Sequence, residues 1–87
     1  MNKPVTKDER LALIKQIVSD ILEIEVAEMT PTSLFKEDHD ADSLRAIEIL
    51  ASLEKAFSVE IAQEALARMV NLDGVYAVVS QAAGWAD

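Results

Sequence analysis

The chain has 87 residues, about half of them hydrophobic, so it makes one small domain that buries about 60 to 65% of its unfolded surface, enough for a single core but not for a deep catalytic cleft. A formal net charge of −8 disfavours nucleic acid and anionic membrane as partners, since both recruit Lys/Arg patches, and makes basic protein the natural counterpart. With no cysteine there is neither a disulfide framework nor a thiolate metal site, and a core poor in aromatics (Phe35, Phe57, Tyr76 and Trp85) must rest on Leu, Ile, Val and Ala, which suits packed helices.

Residues 1–6 place no apolar run behind Lys3, and no stretch reaches the roughly 18 apolar residues of a membrane span, so a soluble, cytoplasmic monomer is expected. Thr6 followed by Glu9 has the form of a capping box. Leu11, Ile14, Ile17, Val18, Ile21 and Leu22 then recur at helical spacing, which predicts a first helix over about 7–22.

From Glu23 to Asp42 the period disappears, Pro31 interrupts any helix, and seven acidic residues stand against Lys36 alone. So long a loop needs a function or its own anchors, and Val26, Met29, Leu34 and Phe35 are the expected pins, with Thr30-Pro31 as a turn.

Asp42 is a good N-cap for a second helix over about 43–57, whose inward stripe is Ala46, Ile49, Leu50, Leu53 and Phe57. A second stripe, Leu44, Ile47, Glu48, Ala51 and Glu54, mixes apolar residues with carboxylates in the manner of a docking surface. Ser58-Val59-Glu60-Ile61 reads as an extended link, residues 63–69 as a short helix, and Asn71 caps a last helix over about 72–83 that turns Leu72, Val75, Tyr76 and Val79 inward and ends at Gly84. The expected fold is all-α, a four-helix bundle with three main helices, one short third helix and a long first loop.

The junction Glu37-Asp38-His39-Asp40-Ala41-Asp42-Ser43-Leu44 concentrates the chemistry. Asp38-x-Asp40-x-Asp42 copies the start of a calcium loop, but its sixth position is Ser43 where Gly is needed and its twelfth is Ile49 where a bidentate Glu is needed, so no specific metal site is expected. His39 lies four residues before Ser43, yet no nucleophile elbow or oxyanion loop accompanies the pair, and self-contained hydrolysis is not expected. His39 reads as an exposed loop residue among acids, and Trp85 as a loosely packed residue near the C-terminus.

The span from Leu22 through Glu37-Asp38, then Asp42-Ser43-Leu44, Glu48 and Leu53-Glu54-Lys55-Ala56-Phe57-Ser58-Val59-Glu60-Ile61, resembles the acyl carrier protein family over nearly the whole chain. The resemblance implies that Ser43, flanked by Asp42 and Leu44, takes a 4'-phosphopantetheine group from coenzyme A by way of a phosphopantetheinyl transferase, and that acyl groups ride as thioesters on its thiol. The protein is then a carrier and not a catalyst. The resemblance also implies that Asp42, Leu44, Arg45, Ile47, Glu48, Ala51 and Glu54 face the basic docking patches of the transferase, ketosynthases, acyltransferases and other biosynthetic enzymes, and that a growing chain can shelter among Ile49, Leu53, Phe57, Val59, Ile61 and Tyr76.

Two positions depart from the family's pattern. Asp40 stands where Gly is usual, and Arg45 puts a positive charge just after Ser-Leu, where many fatty-acid carriers are acidic or small. Both incline the reading toward polyketide-type or other specialised biosynthesis and away from housekeeping fatty-acid synthesis. A fatty-acid synthesis carrier, a peptidyl or aminoacyl carrier of the same fold, and an unmodified interaction or calcium-responsive module stand as alternatives.

Overall fold

The computed structural model describes residues 6–39 and 42–85, and all regular structure among them is helical. Helix α1 spans Lys7–Leu22, α2 Phe35–His39, α3 Ser43–Phe57 and α4 Leu72–Ala83, with 3₁₀ turns at Val26–Glu28 and Gln63–Arg68.

Local chemistry sets each end. Thr6 Oγ1 accepts the Glu9 N–H at 3.1 Å while the Thr6 N–H donates to the Glu9 carboxylate at 3.2 Å, the reciprocal capping box that opens α1. Asp42 Oδ1 accepts from the Arg45 N–H at 2.9 Å to start α3, and Asn71 Oδ1 accepts from the Gly74 N–H at 2.8 Å to start α4. All three long helices end on a left-handed residue: Glu23 at φ 58°, Ser58 at φ 55° and Gly84 at φ 73°.

The apolar periods converge on one core. Ile14 and Val18 of α1, Ile49, Leu50 and Leu53 of α3, and Leu72, Val75, Val78 and Val79 of α4 are buried, with α1 packed against both α3 and α4. Met29 and Phe35 fold in from the loop, and Ile61, Ala65 and Met69 close the remaining side.

The first loop carries more structure than its sequence predicts. Asp38 Oδ2 accepts from the Leu34 N–H at 2.7 Å, and the Phe35 N–H donates to the Val70 carbonyl at 2.9 Å, so the backbone of 34–39 closes into α2 and is held to the far side of the bundle. Successive side chains on a helical turn diverge by about 100°, so only one of Leu34 and Phe35 can face the core. Phe35 is the pin, whereas Leu34 stays 37% exposed and does not serve as one. The short third helix is 3₁₀, with the Met69 N–H bonded to the Leu66 carbonyl at 3.1 Å. In α4, Val78 joins Leu72, Val75 and Val79 in the core, and Tyr76 is half-buried and packed against it.

Trp85 is not loosely packed. Its ring meets Phe57 edge-on with centroids 5.2 Å apart and lies 5.6 Å from Tyr76, while the Arg10 guanidinium sits 4.2 Å from its centroid. This cluster joins the start of α1 to the ends of α3 and α4, at the pole of the bundle opposite Ser43.

Ser19 is 1% exposed, and its hydroxyl has no hydrogen-bond partner among the described residues. A buried hydroxyl that exchanges water for no partner opposes folding. Ser19→Ala is therefore expected to raise the unfolding free energy by about 1 kcal/mol, read as a higher denaturant midpoint at unchanged slope.

Candidate functional site

Ser43 is the first residue of α3 and is exposed to solvent. Its position follows from the cap before it: Asp42 takes the extended backbone of an N-cap, φ −102° and ψ −178°, and turns the chain into the helix at the next residue. The Asp42 carboxylate serves the amide of Arg45, three residues on. The remaining free amides of the first turn give this end of α3 a partial positive charge next to the Ser43 hydroxyl.

Beside Ser43 opens a groove of about 390 Å³. Its apolar walls are Phe35 of α2, Ala46 and Ile49 of α3, and Leu66, Met69 and Val70 at the end of the 3₁₀ turn, with Lys36, Glu37 and Asp42 at the polar side. This groove is distinct from the shelter expected for a bound chain, whose Leu53 and Ile61 lie in the core and whose Phe57 and Tyr76 pack against Trp85 at the other pole. Only Ile49 belongs to both sets. Leu66, Met69 and Val70 gave no such signal in the sequence, because so short a stretch of 3₁₀ helix cannot show a period.

Along α3 the second stripe divides in two. Leu44 is 64% exposed and Ile47 43%, with Glu48 and Ala51 also exposed, so an apolar strip edged by carboxylate faces solvent next to Ser43. Glu54 does not stand free beside them, because its Oε2 accepts from the Ile61 N–H at 2.8 Å and ties the link after α3 back onto the helix.

Arg45 departs furthest from the expected outward role. Its Nη1 donates to the Ile21 carbonyl and its Nη2 pairs with Glu23 Oε2 at 2.9 Å, so the guanidinium caps the last turn of α1, where a cation meets the negative end of the helix. The hydrogen bond to Glu23 is the main influence holding its pKa above the usual arginine value, against some desolvation, and the charges of Glu23, Glu48 and Asp42 act in the same direction as the bond. A cation beside Ser43 was legible in the sequence. Its engagement by a helix end some twenty residues upstream was not.

His39 is likewise not an exposed loop residue. It ends α2 half-buried, with Nε2 3.0 Å from Ser33 Oγ. Ser33 Oγ already donates to the Thr30 carbonyl at 3.1 Å, which leaves the ring nitrogen as donor, and this knot braces the Thr30-Pro31 turn rather than activating Ser43. Ile49, at the twelfth position of the calcium-loop comparison, is buried in the core and cannot supply a ligand, and no cluster of three metal-ligating side chains occurs among the described residues. Asp40, where the family's glycine is replaced, lies outside the described residues. No helix among the described residues is long and apolar enough to cross a membrane.

Comparison with known proteins agrees with this geometry. The family profile described as the phosphopantetheine attachment site matches residues 12–79. The polyketide-8 synthase acyl carrier protein 1 of Streptomyces avermitilis is 70% identical over 70 residues, covering 80% of this chain and 83% of that protein. The meromycolate extension acyl carrier protein of Mycobacterium tuberculosis is 36% identical over 78 residues, covering 90% and 68%. Among solved structures, a chain from the ishigamide ketosynthase/chain length factor superposes with a TM-score of 0.77 at 32% identity, covering 88% of this chain and 97% of that one.

Proposed function

The chain belongs to the phosphopantetheine-attachment family of acyl carrier proteins, and from that premise we propose that it is a discrete carrier of polyketide-type biosynthesis, with the prosthetic arm joined to Ser43. The observation that carries this reading is an exposed serine hydroxyl on the first turn of α3, opening directly onto an apolar groove. Once attached, the arm supplies the thiol that the cysteine-free chain lacks, on which acyl groups travel as thioesters. The first-turn amides and the positive end of α3 favour the negative phosphodiester at Ser43. Phe35, Ala46, Ile49, Leu66, Met69 and Val70 offer apolar cover to whatever lies along the groove. No residue here is asked to make or break the thioester, so the protein acts as a bound substrate of partner enzymes.

The polyketide assignment is supported by the 70%-identical relative, which is named as a polyketide synthase carrier, and the neighbouring chain from a ketosynthase/chain length factor structure points to that kind of partner. Docking falls to Leu44, Ile47, Glu48 and Ala51, against basic patches on a transferase, ketosynthase or acyltransferase. Exposed charge pairs are weak and are screened over about 8 to 10 Å, which suits a shuttle that must leave each partner. Ile47→Ala is expected to raise the transferase KM about five-fold or more with an unchanged unfolding curve, because Ile47 supplies apolar contact on binding but is not part of the core.

The direct experiment is intact mass after incubation with coenzyme A and a phosphopantetheinyl transferase. A single phosphopantetheine increment is expected. An unmodified protein would overturn the proposal.

A further inference from the structure

Resting on attachment at Ser43, we infer that the Lys36 ammonium is the counter-ion of the phosphodiester and holds the base of the arm on the groove side of α3. Among the described residues, Lys36 is the one cation that lines the groove with Ser43. Its position is anchored: the neighbouring Phe35 ring is buried, the Phe35 N–H is bonded to the Val70 carbonyl at 2.9 Å, and Asp38 Oδ2 accepts the Leu34 N–H at 2.7 Å, so α2 is pinned at its first turn. The other nearby cation, Arg45, is committed to the Ile21 carbonyl and to Glu23. Lys36 makes no ion pair with any described residue.

The charges around Ser43 make that difference matter. Glu37 and Asp42 line the same groove, so before modification two acidic residues and one lysine border it. A phosphodiester adds one more negative charge at the Ser43 oxygen, and each added anion strengthens the case for recruiting the ammonium. Lysine suits such a pairing because it is a compact point charge on a flexible four-carbon stem, able to follow a phosphate without fixed bidentate geometry. Because the site is open to solvent, the pairing is modest and salt-sensitive, and the basic patch of a partner can displace it. Lys36 is a positioning residue for the arm and takes no part in acyl transfer.

The test uses the apo and phosphopantetheinylated forms of the wild type, Lys36→Gln, Lys36→Glu and the control Lys55→Gln, on the exposed last turn of α3. Two quantities are read without any partner enzyme: the ³¹P resonance of the phosphodiester, and the melting temperature of the modified form minus that of the apo form. In low salt this difference is expected to be about 1–4 °C more favourable in the wild type than in Lys36→Gln, and to move further in the same direction for Lys36→Glu. The ³¹P resonance of the wild type should shift toward that of Lys36→Gln as NaCl is raised, with Lys55→Gln matching the wild type throughout. Identical resonances and identical differences in the wild type and both Lys36 variants would overturn the pairing while leaving attachment at Ser43 intact. Failure of the attachment itself shows separately, as the absence of a mass increment, and overturns both.

Discussion

Ser43→Ala is expected to abolish phosphopantetheine loading completely, with no increment at any transferase concentration, while the unfolding free energy stays within about 0.5 kcal/mol of the wild type. The two halves of this expectation have separate reasons. Loading needs an oxygen at this position, and alanine has none. Folding does not need it, because the helix start is set by Asp42, whose carboxylate caps the Arg45 amide, and the exposed Ser43 side chain fills no part of the core. Ser58→Ala is the matching control, a second serine placed after the far end of α3, where it should load like the wild type. An increment that persists in Ser43→Ala would move the attachment point elsewhere and remove the basis for the groove and docking assignments together.

Around Ser43, the side chains that look reactive in the sequence are engaged in the fold. Four carboxylates and a histidine crowd the six residues before the serine. Where the structure describes them with a partner, these groups hold the fold: Asp42 caps α3, Asp38 closes α2 and His39 braces the turn at Thr30 through Ser33. A general base must reach the proton it removes, and the His39 ring is directed to Ser33. On the proposed function, the serine waits for an incoming transferase, and the His39 ring is bonded to Ser33 and not to Ser43.

Much of this was legible in the sequence, for identifiable reasons. The helices α1, α3 and α4 carry strong local signals, namely a capping residue at each start, a 3.6-residue apolar period, and for α4 a terminal glycine. The exposure of Ser43, Leu44 and Ile47 could be read because it follows from position on the helix relative to the Ile49, Leu50 and Leu53 stripe. What stayed hidden depends on partners distant in sequence. Arg45 meets Ile21 and Glu23, Glu54 meets Ile61, and the Phe35 amide meets the Val70 carbonyl. None of these pairings leaves a periodic trace. The groove beside Ser43 was missed for the same reason, since it exists only where α2, α3 and the residues closing the 3₁₀ turn come together.

Gly74 is the clearest case of such a hidden constraint, and it carries the largest expected effect on stability. It occupies the first turn of α4, where alanine would ordinarily be the better helix former. Here a Cβ would overlap the Arg68 carbonyl oxygen and lie 3.2 Å from the Asn71 Oδ1 that caps the helix. The obstacle is backbone, which cannot swing aside as a side chain can, so relief requires α4 to move away from the Gln63–Arg68 turn and disturbs the buried Met69, Leu72 and Val75. Gly74→Ala is expected to destabilise the protein by about 3 kcal/mol, lowering the melting temperature by roughly 12–24 °C for a domain of this size. Gly84→Ala provides the comparison. Its Cβ would meet nothing within 4 Å but would force a left-handed φ of 73° on an L-residue, at a cost of about 1–2 kcal/mol. If Gly74→Ala costs no more than Gly84→Ala, then the close approach of the Arg68 carbonyl does not constrain this position. If it costs clearly more, the junction that forms the far wall of the groove is held by a glycine whose value lies in having no side chain.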